Sequence, residues 1–268
     1  MAGYKFDYEK KVAGGDIIRV KPYYFRASRL YWALRTIKSH RGKLLDVGCG
    51  AGDFLEAFSF YRKDLSLTGI DLSKKSVGLA KKRNIRAKFL VADAHKLPFK
   101  DHSFDIVTCF DMIEHVKNPE LVLSEIGRVL KPPGVFHSFI PTEKNIFSFE
   151  GFLIKLGWKG KEIYAGHPQH FSFEQIKKML GKNGFKIINI AWGDHFIHQF
   201  AETVYFTLLS KRRKIYNRTV EGYLHLAEPS IINLALKLIT RSVAAVSYFE
   251  NRLLWWFPGL GVNITCKK

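Results

Sequence analysis

Leu44-Leu45-Asp46-Val47-Gly48-Cys49-Gly50-Ala51-Gly52-Asp53-Phe54 decides how this chain is read. Residues 44–47 are apolar except for Asp46, the pattern of a buried parallel strand. Gly48, Gly50 and Gly52 then make a turn that tolerates positive φ and lets a ligand approach the backbone. The helix expected after it offers free N–H groups and a positive dipole end to an anionic or electron-rich ligand. The stretch is therefore a strand, a glycine loop and a helix start, and the open matter is which ligand it serves.

Working outward, strands and helices alternate. Pro22 suits a first helical turn, and Tyr23, Ala27, Leu30, Leu34 and Ile37 recur at helical spacing. A strand over 43–48 leads to a helix over 52–62. A second strand, 65–70, ends at Asp71. Ser73 is an N-cap for a helix over 74–83. A third strand, 86–91, ends near Asp93, and a fourth spans 104–110. Asp111 to His115 forms a loop or short helical turn. Asn118 and Pro119 open a helix over 119–130, which Pro132-Pro133-Gly134 closes before a strand over 135–140. This alternation predicts a parallel, doubly wound sheet with ligands at the carboxyl ends of the strands. Asp71, Asp93 and Asp111 all fall there.

Residues 141–170 form a connection long enough to imply a job such as covering a site. Ser172 caps a helix over 173–183, and 185–191 is a sixth strand. The segment 195–257 reads as helical, with a basic cluster Lys211-Arg212-Arg213-Lys214. Apolar residues from Ile232 to Trp256 repeat at helical spacing and end at Leu254-Trp255-Trp256-Phe257. Such a helix serves as a core or lid element, an interface, or an amphipathic contact with a membrane surface. Pro258-Gly259 stops it, and Val262 to Cys266 reads as a last strand at the sheet edge. The expected division is a core with an N-terminal helix over 1–194, a helical insertion over 195–257 (substrate lid or membrane contact) and a final core strand over 258–268.

The chain has 268 residues, 47% hydrophobic, and a formal net charge of +19. The length supports one large α/β domain. The charge points to an anionic partner: nucleic acid, an anionic membrane surface or an acidic substrate. Cys49, Cys109 and Cys266 are too scattered for a disulfide framework or zinc cluster, which fits a reducing, cytoplasmic setting. Residues 1–15 lack an apolar signal core, and no uncharged apolar run reaches about 18 residues, the length of a membrane span.

A dinucleotide fingerprint would carry glycine as its sixth residue. Asp53 stands there instead and would bring a negative charge toward a pyrophosphate. No Walker lysine follows the loop. His-Glu-x-x-His, Gly-x-Ser-x-Gly and Cys-x-x-Cys are all absent. A ligand with a nucleoside and an amino-acid tail fits better.

Several motifs in order then carry a resemblance. They are Leu45 to Gly52, Gly69-Ile70-Asp71-Leu72-Ser73, Val91-Ala92-Asp93-Ala94 and Leu97-Pro98-Phe99. Ser103 to Val107, Glu114-His115-Val116 and Arg128 to Gly134 follow, then His170-Phe171-Ser172 and Gly184-Phe185. Over roughly 44–190 the chain resembles the class I S-adenosylmethionine-dependent methyltransferases, in particular the small-molecule branch with the ubiquinone-pathway O-methyltransferases. The resemblance implies an α/β, Rossmann-like seven-stranded methyltransferase sheet with a C-terminal helical insertion before the last strand. It implies that Asp46 helps hold the methionine amine, that Gly48, Gly50 and Gly52 admit the methionyl part and sulfonium, and that Asp71, with Leu72 beside it, accepts the ribose hydroxyls. Asp93 and Ala94 would meet the adenine, Phe110 would line the cofactor pocket, and Arg29 would approach the methionyl carboxylate.

A hydroxyl acceptor calls for a base, and His115, His167 and His170 are the candidates. The relatives' acid-acid-His set, matched here by Asp111, Glu114 and His115, implies a divalent cation such as Mg²⁺. The expected activity is O-methylation of a small or lipid-like acceptor, in a cytoplasmic protein peripheral to the inner face of a membrane. A nucleic-acid (rRNA or tRNA) methyltransferase and a non-catalytic S-adenosylmethionine-binding protein are the alternatives.

Overall fold

The computed structural model describes residues 18–21, 24, 26–145, 148–158, 167–212 and 231–268. Pro22, Tyr23, Arg213 and Lys214, which the sequence singled out, lie outside them, as do the side chains of Lys211, Arg212 and Ile232.

Seven strands form one sheet: β1 (Gly42–Val47), β2 (Leu65–Asp71), β3 (Ala87–Val91), β4 (Phe104–Phe110), β5 (Leu130–Pro141), β6 (Lys186–Gly193) and β7 (Gly261–Lys267). Their order is β3-β2-β1-β4-β5-β7-β6. The pairs β1–β2, β1–β4, β2–β3 and β4–β5 are parallel, as the alternation requires. The strand order reverses between β1 and β4, which opens a crevice at their carboxyl ends.

The last strand departs from expectation. It lies between β5 and β6, antiparallel to both, so β6 rather than β7 is the sheet edge and the sheet is mixed. The alternating Val262-Asn263-Ile264-Thr265-Cys266 reads as a half-exposed strand, yet all five residues are buried. The polar ones are accommodated by hydrogen bonds: Asn263 Nδ2 donates to the Ala191 carbonyl (3.2 Å), and Thr265 Oγ1 meets Thr36 Oγ1 (2.9 Å) and His137 Nδ1 (3.0 Å). The other departure is that β5 begins at Leu130, with Pro132, Pro133 and Gly134 inside it. Its irregular start pairs Leu130 with Phe104 before the register shifts.

The helices are α1 (Ala27–Ile37), α2 (Asp53–Tyr61), α3 (Lys74–Lys81), α4 (Pro119–Val129), α5 (Phe149–Lys155), α6 (Phe173–Lys182), α7 (Phe196–Arg212) and α8 (Ile231–Leu253). Their starts follow local chemistry. Ser73 Oγ accepts from the Ser76 amide, Asn118 accepts from the Leu121 amide, and Ser172 forms a capping box with Gln175. Each such cap stabilises its helix by about 1 kcal/mol.

Two apolar clusters cover the two faces. One gathers Leu45, Val107, Ile126, Leu180 and Ile264; the other gathers Leu30, Leu44, Leu55, Phe58 and Ile106. Truncating one of these buried leucines to alanine costs about 2–5 kcal/mol. Helices α7 and α8 fall between β6 and β7. They are tied to the sheet by Gln199, whose Nε2 donates to the Asp194 carbonyl, and by Asn251, whose Oδ1 lies 2.8 Å from His195 Nδ1.

Candidate active site

The glycine loop is pinned to β2. The amides of Gly48 and Cys49 both donate to the Ile70 carbonyl, at 2.9 and 2.8 Å. Gly48 adopts φ +77°, and a Cβ there would stand 2.5 Å from the Met112 side chain. Gly52 is the left-handed N-cap of α2 (φ +84°) and faces Phe89. Both positions thus require glycine by conformation and by space.

Asp71, at the end of β2, organises the loop from beneath. Its Oδ2 accepts from the Gly50 amide (2.8 Å) and its Oδ1 from the Ser73 amide (2.9 Å). A carboxylate oxygen has two lone-pair sites and can take more than one donor. Leu72 beside it is 64% exposed, an apolar side chain turned to solvent at the crevice rim. Asp93 is more open. Its Oδ1 accepts from the His95 amide (2.9 Å), and this bond holds its carboxyl below the usual range. Ala94 packs against the core cluster.

Asp46 is buried in β1 and accepts from Thr108 Oγ1 at 2.8 Å. Burial raises its carboxyl to about 7, the Thr108 bond opposing and the charges of Asp71 and Asp53 adding to it. Phe110 is stacked on Phe54 (ring centroids 3.8 Å) within the core cluster beneath the loop. One residue sits otherwise than expected. Asp53 does not direct its charge at a ligand; it is 2% exposed and pairs with Arg26 (2.6 Å) and with Arg83. The residue before α1 and the segment after α3 thus neutralise its charge.

Beyond β4 the chain builds a second centre. Arg29 of α1 spends Nη1 on Asp111 Oδ2 and Nη2 on Asp194 Oδ2, each at 2.6 Å, while its guanidinium lies 3.9 Å over the Phe139 ring. Burial alone would weaken its charge, but Asp111 and Asp194 outweigh it and raise its pKa. Both aspartates adopt left-handed backbone, φ +49° and +54°, a region that Asp tolerates better than most residues. With Pro141, His167, Glu202 and Leu260, these three residues line a cavity of about 170 Å³.

The expected ligand set Asp111, Glu114 and His115 does not come together as such. Asp111 is drawn to Arg29, and the donor atoms within 4.8 Å of one another belong to Glu114, His115 and His167. His115 and His167 meet edge to face at 4.7 Å. Glu114 is 1% exposed, and among the described residues neither carboxylate oxygen has a hydrogen-bond partner. Burial, then the nearby Asp111 charge, pushes its pKa well up.

Sequence reasoning passed over Glu143. Just past β5 and 1% exposed, it accepts at Oε1 from His167 Nδ1 (2.6 Å) and engages His170 Nδ1 through Oε2. Nothing in the local pattern marks it, because its partners lie 24 and 27 residues away. Of the candidate bases, His167 is the one that lines the cavity.

A family model described as "Methyltransferase domain" matches residues 45–138. A ubiquinone biosynthesis O-methyltransferase of Dechloromonas aromatica is 32% identical over 175 residues, 61% of this chain and 74% of that protein. A demethylmenaquinone methyltransferase of Staphylococcus aureus is 33% identical over 177 residues, 58% of this chain and 73% of that protein. Among solved structures, the [4+2]-cyclase SpnF superposes with a TM-score of 0.58 at 20% identity, over 90% of this chain and 80% of that one. A phosphoethanolamine N-methyltransferase of Haemonchus contortus, bound to S-adenosylhomocysteine, gives 0.52 at 19% identity, over 89% and 51%. The structural matches speak for the fold and the relatives for the chemistry: the chain belongs to the S-adenosylmethionine-dependent methyltransferases.

Proposed function

We propose that this methyltransferase acts on the hydroxyl of a small amphiphilic acceptor, of the quinol type named in its relatives. The observation that carries this is the Glu143–His167 pair beside the cavity of Arg29, Asp111 and Asp194.

The loop and strand ends fit S-adenosylmethionine, as the Asp71 carboxylate at the end of β2, held against the Gly50 turn, indicates. When bound, the cofactor supplies an electrophilic sulfonium methyl. Gly48, Gly50 and Gly52 would admit the methionyl part, with Asp46 beneath its amine. Asp71 would accept the ribose hydroxyls, Leu72 would cover the adenine, and Asp93 and the Ala94 amide would meet its edge. Arg29 is taken up by two aspartates, so its role is to shape the acceptor cavity rather than to hold the methionyl carboxylate.

His167 then receives the acceptor proton at Nε2 while Nδ1–H remains bonded to Glu143. With that proton held on His167, the acceptor oxygen would be presented as a nucleophile in line with the methyl that the bound cofactor would supply. His115 meets that ring edge to face, and His170 shares Glu143 with it. Mg²⁺ prefers an all-oxygen shell. One buried carboxylate with two imidazoles does not fit it, and no step here runs through the ion. The comparisons lend the nucleic-acid reading no support. An amphiphilic acceptor would bring the protein to the cytoplasmic face of a membrane as a peripheral enzyme. Among the described residues no helix is long and apolar enough to cross one.

The test is turnover of catechol- and quinol-type acceptors with deuterated-methyl cofactor, read by mass spectrometry. A labelled methyl ether is expected. Label on carbon or nitrogen, or no labelled phenolic product, overturns the reading.

A further inference from the structure

A second cleft lies away from the cavity of Arg29. It has a volume of about 210 Å³ and is lined by Tyr31, Trp32 and Arg35 of α1, Asn189 of β6, and Arg252 and Trp255 at the end of α8. It therefore sits over the sheet edge, where among the described residues β6 has no outer strand. A backbone bond from the Trp192 amide to the Trp255 carbonyl (2.7 Å) fixes the end of α8 against that edge.

The cleft carries two positive charges. Arg35 lies 5.5 Å over the Trp32 ring and donates to the Tyr31 hydroxyl at 3.3 Å; Arg252 lies 4.0 Å over the Tyr31 ring. Among the described residues neither guanidinium has a carboxylate partner, although elsewhere Arg26, Arg29, Arg62, Arg83 and Arg128 are each paired with one. Two guanidinium groups converging on an aromatic-walled cleft match the charge and donor geometry of a phosphate.

Next to the cleft the surface is apolar. Leu238, Val246, Phe249 and Leu253 fall at helical spacing on one face of α8, and Leu253, Trp256 and Phe249 are 74%, 63% and 63% exposed. Trp255 and Ile188 of β6 are exposed as well. A row of apolar side chains ending in paired tryptophans and bordered by arginine is the composition of a membrane-interface helix. The whole chain carries +19, which complements an anionic surface.

We propose that this cleft seats the phosphate headgroup of an anionic lipid between Arg35 and Arg252, with Trp256, Leu253 and Phe249 entering the bilayer interface beside it. The proposal deepens the amphiphilic-acceptor reading and rests on it for its purpose: the enzyme docks where such an acceptor resides. The occupant is a lipid surface, because the apolar row would have no counterpart in a free phosphate.

The test is co-sedimentation of the full chain with phosphatidylcholine vesicles, with and without about one-third phosphatidylglycerol, at low salt. Binding to the anionic vesicles and little to the neutral ones is expected. Each of Arg35→Ala and Arg252→Ala should weaken it roughly fivefold, and Trp256→Ala should weaken it in the presence of either arginine. Equal binding to both vesicle types, or full binding by the double arginine variant, overturns the proposal. So does protection of Trp255 fluorescence by inorganic phosphate as effective as that by vesicles, which would make the cleft a soluble-anion site. Cofactor affinity and turnover of a water-soluble catechol are measured on the same variants and should stay unchanged. If the wild type docks on vesicles yet methylates no phenolic acceptor, the acceptor reading fails alone; if it methylates but does not dock, the headgroup site fails alone.

Discussion

Glu143 and His167 are held together by a 2.6 Å bond between Oε1 and Nδ1, from opposite sides of a long connection, and this bond fixes which imidazole nitrogen is left to face the cavity. A carboxylate on Nδ1 sets the tautomer and orients the ring. Replacing His167 with alanine should lower kcat by about 100-fold or more while leaving cofactor affinity, measured by calorimetry, unchanged. Glu143→Gln keeps a hydrogen bond that orients the ring, so kcat should fall less than in His167→Ala. Loss of cofactor binding in step with kcat in both variants would make the pair structural.

Asp53 supports the site from outside it. Its buried carboxylate joins Arg26, which precedes α1, to Arg83, which follows α3, and Arg83 also engages Glu56. Removing the central acid leaves two guanidinium groups without their shared partner. Asp53→Ala should destabilise the protein by on the order of 3 kcal/mol, read as a lower urea midpoint. A double-mutant cycle with Arg26→Ala should show coupling. Additive losses would mean that Asp53 acts through packing alone.

Asp46 makes cofactor-free stability depend on pH. Its folded value of about 7 lies above the ordinary carboxylate value of 3.8. For a raised carboxyl the stability contribution is whole below about pH 4 and is lost as pH rises through 7, up to on the order of 4 kcal/mol. The cofactor-free enzyme should therefore unfold at lower urea at pH 8 than at pH 5. Asp46→Asn, which preserves an acceptor for Thr108, should flatten that slope and weaken cofactor binding. An unchanged slope in the variant would show that Asp46 is not its source.

The glycine loop and the strand ends were legible because their parts are local. Gly48 to Gly52 turns within five residues, Asp71 ends its own strand, and Ser73 caps the next helix, so strand and helix periodicities carry each residue to the carboxyl edge. Three features were not legible: the place of β7, the partner of Arg29 and the role of Glu143. Asp194 lies 165 residues from Arg29, and Thr265 lies 128 from His137. Val262 to Cys266 was expected at the sheet edge, and the partners that bury its polar residues lie far along the chain.

By itself the sequence determined the order of strands and helices, the glycine loop, the caps and the family, all properties that follow from backbone periodicity and neighbouring residues. Only the tertiary structure decided that Asp111 belongs to Arg29 rather than to Glu114 and His115, that His167 rather than His170 lines the cavity, and that Asp53 is neutralised. Each of those outcomes depends on which charges burial brings together across distant segments. Buried charges must find partners or give up their charge, and the chain order does not say which partner is nearest.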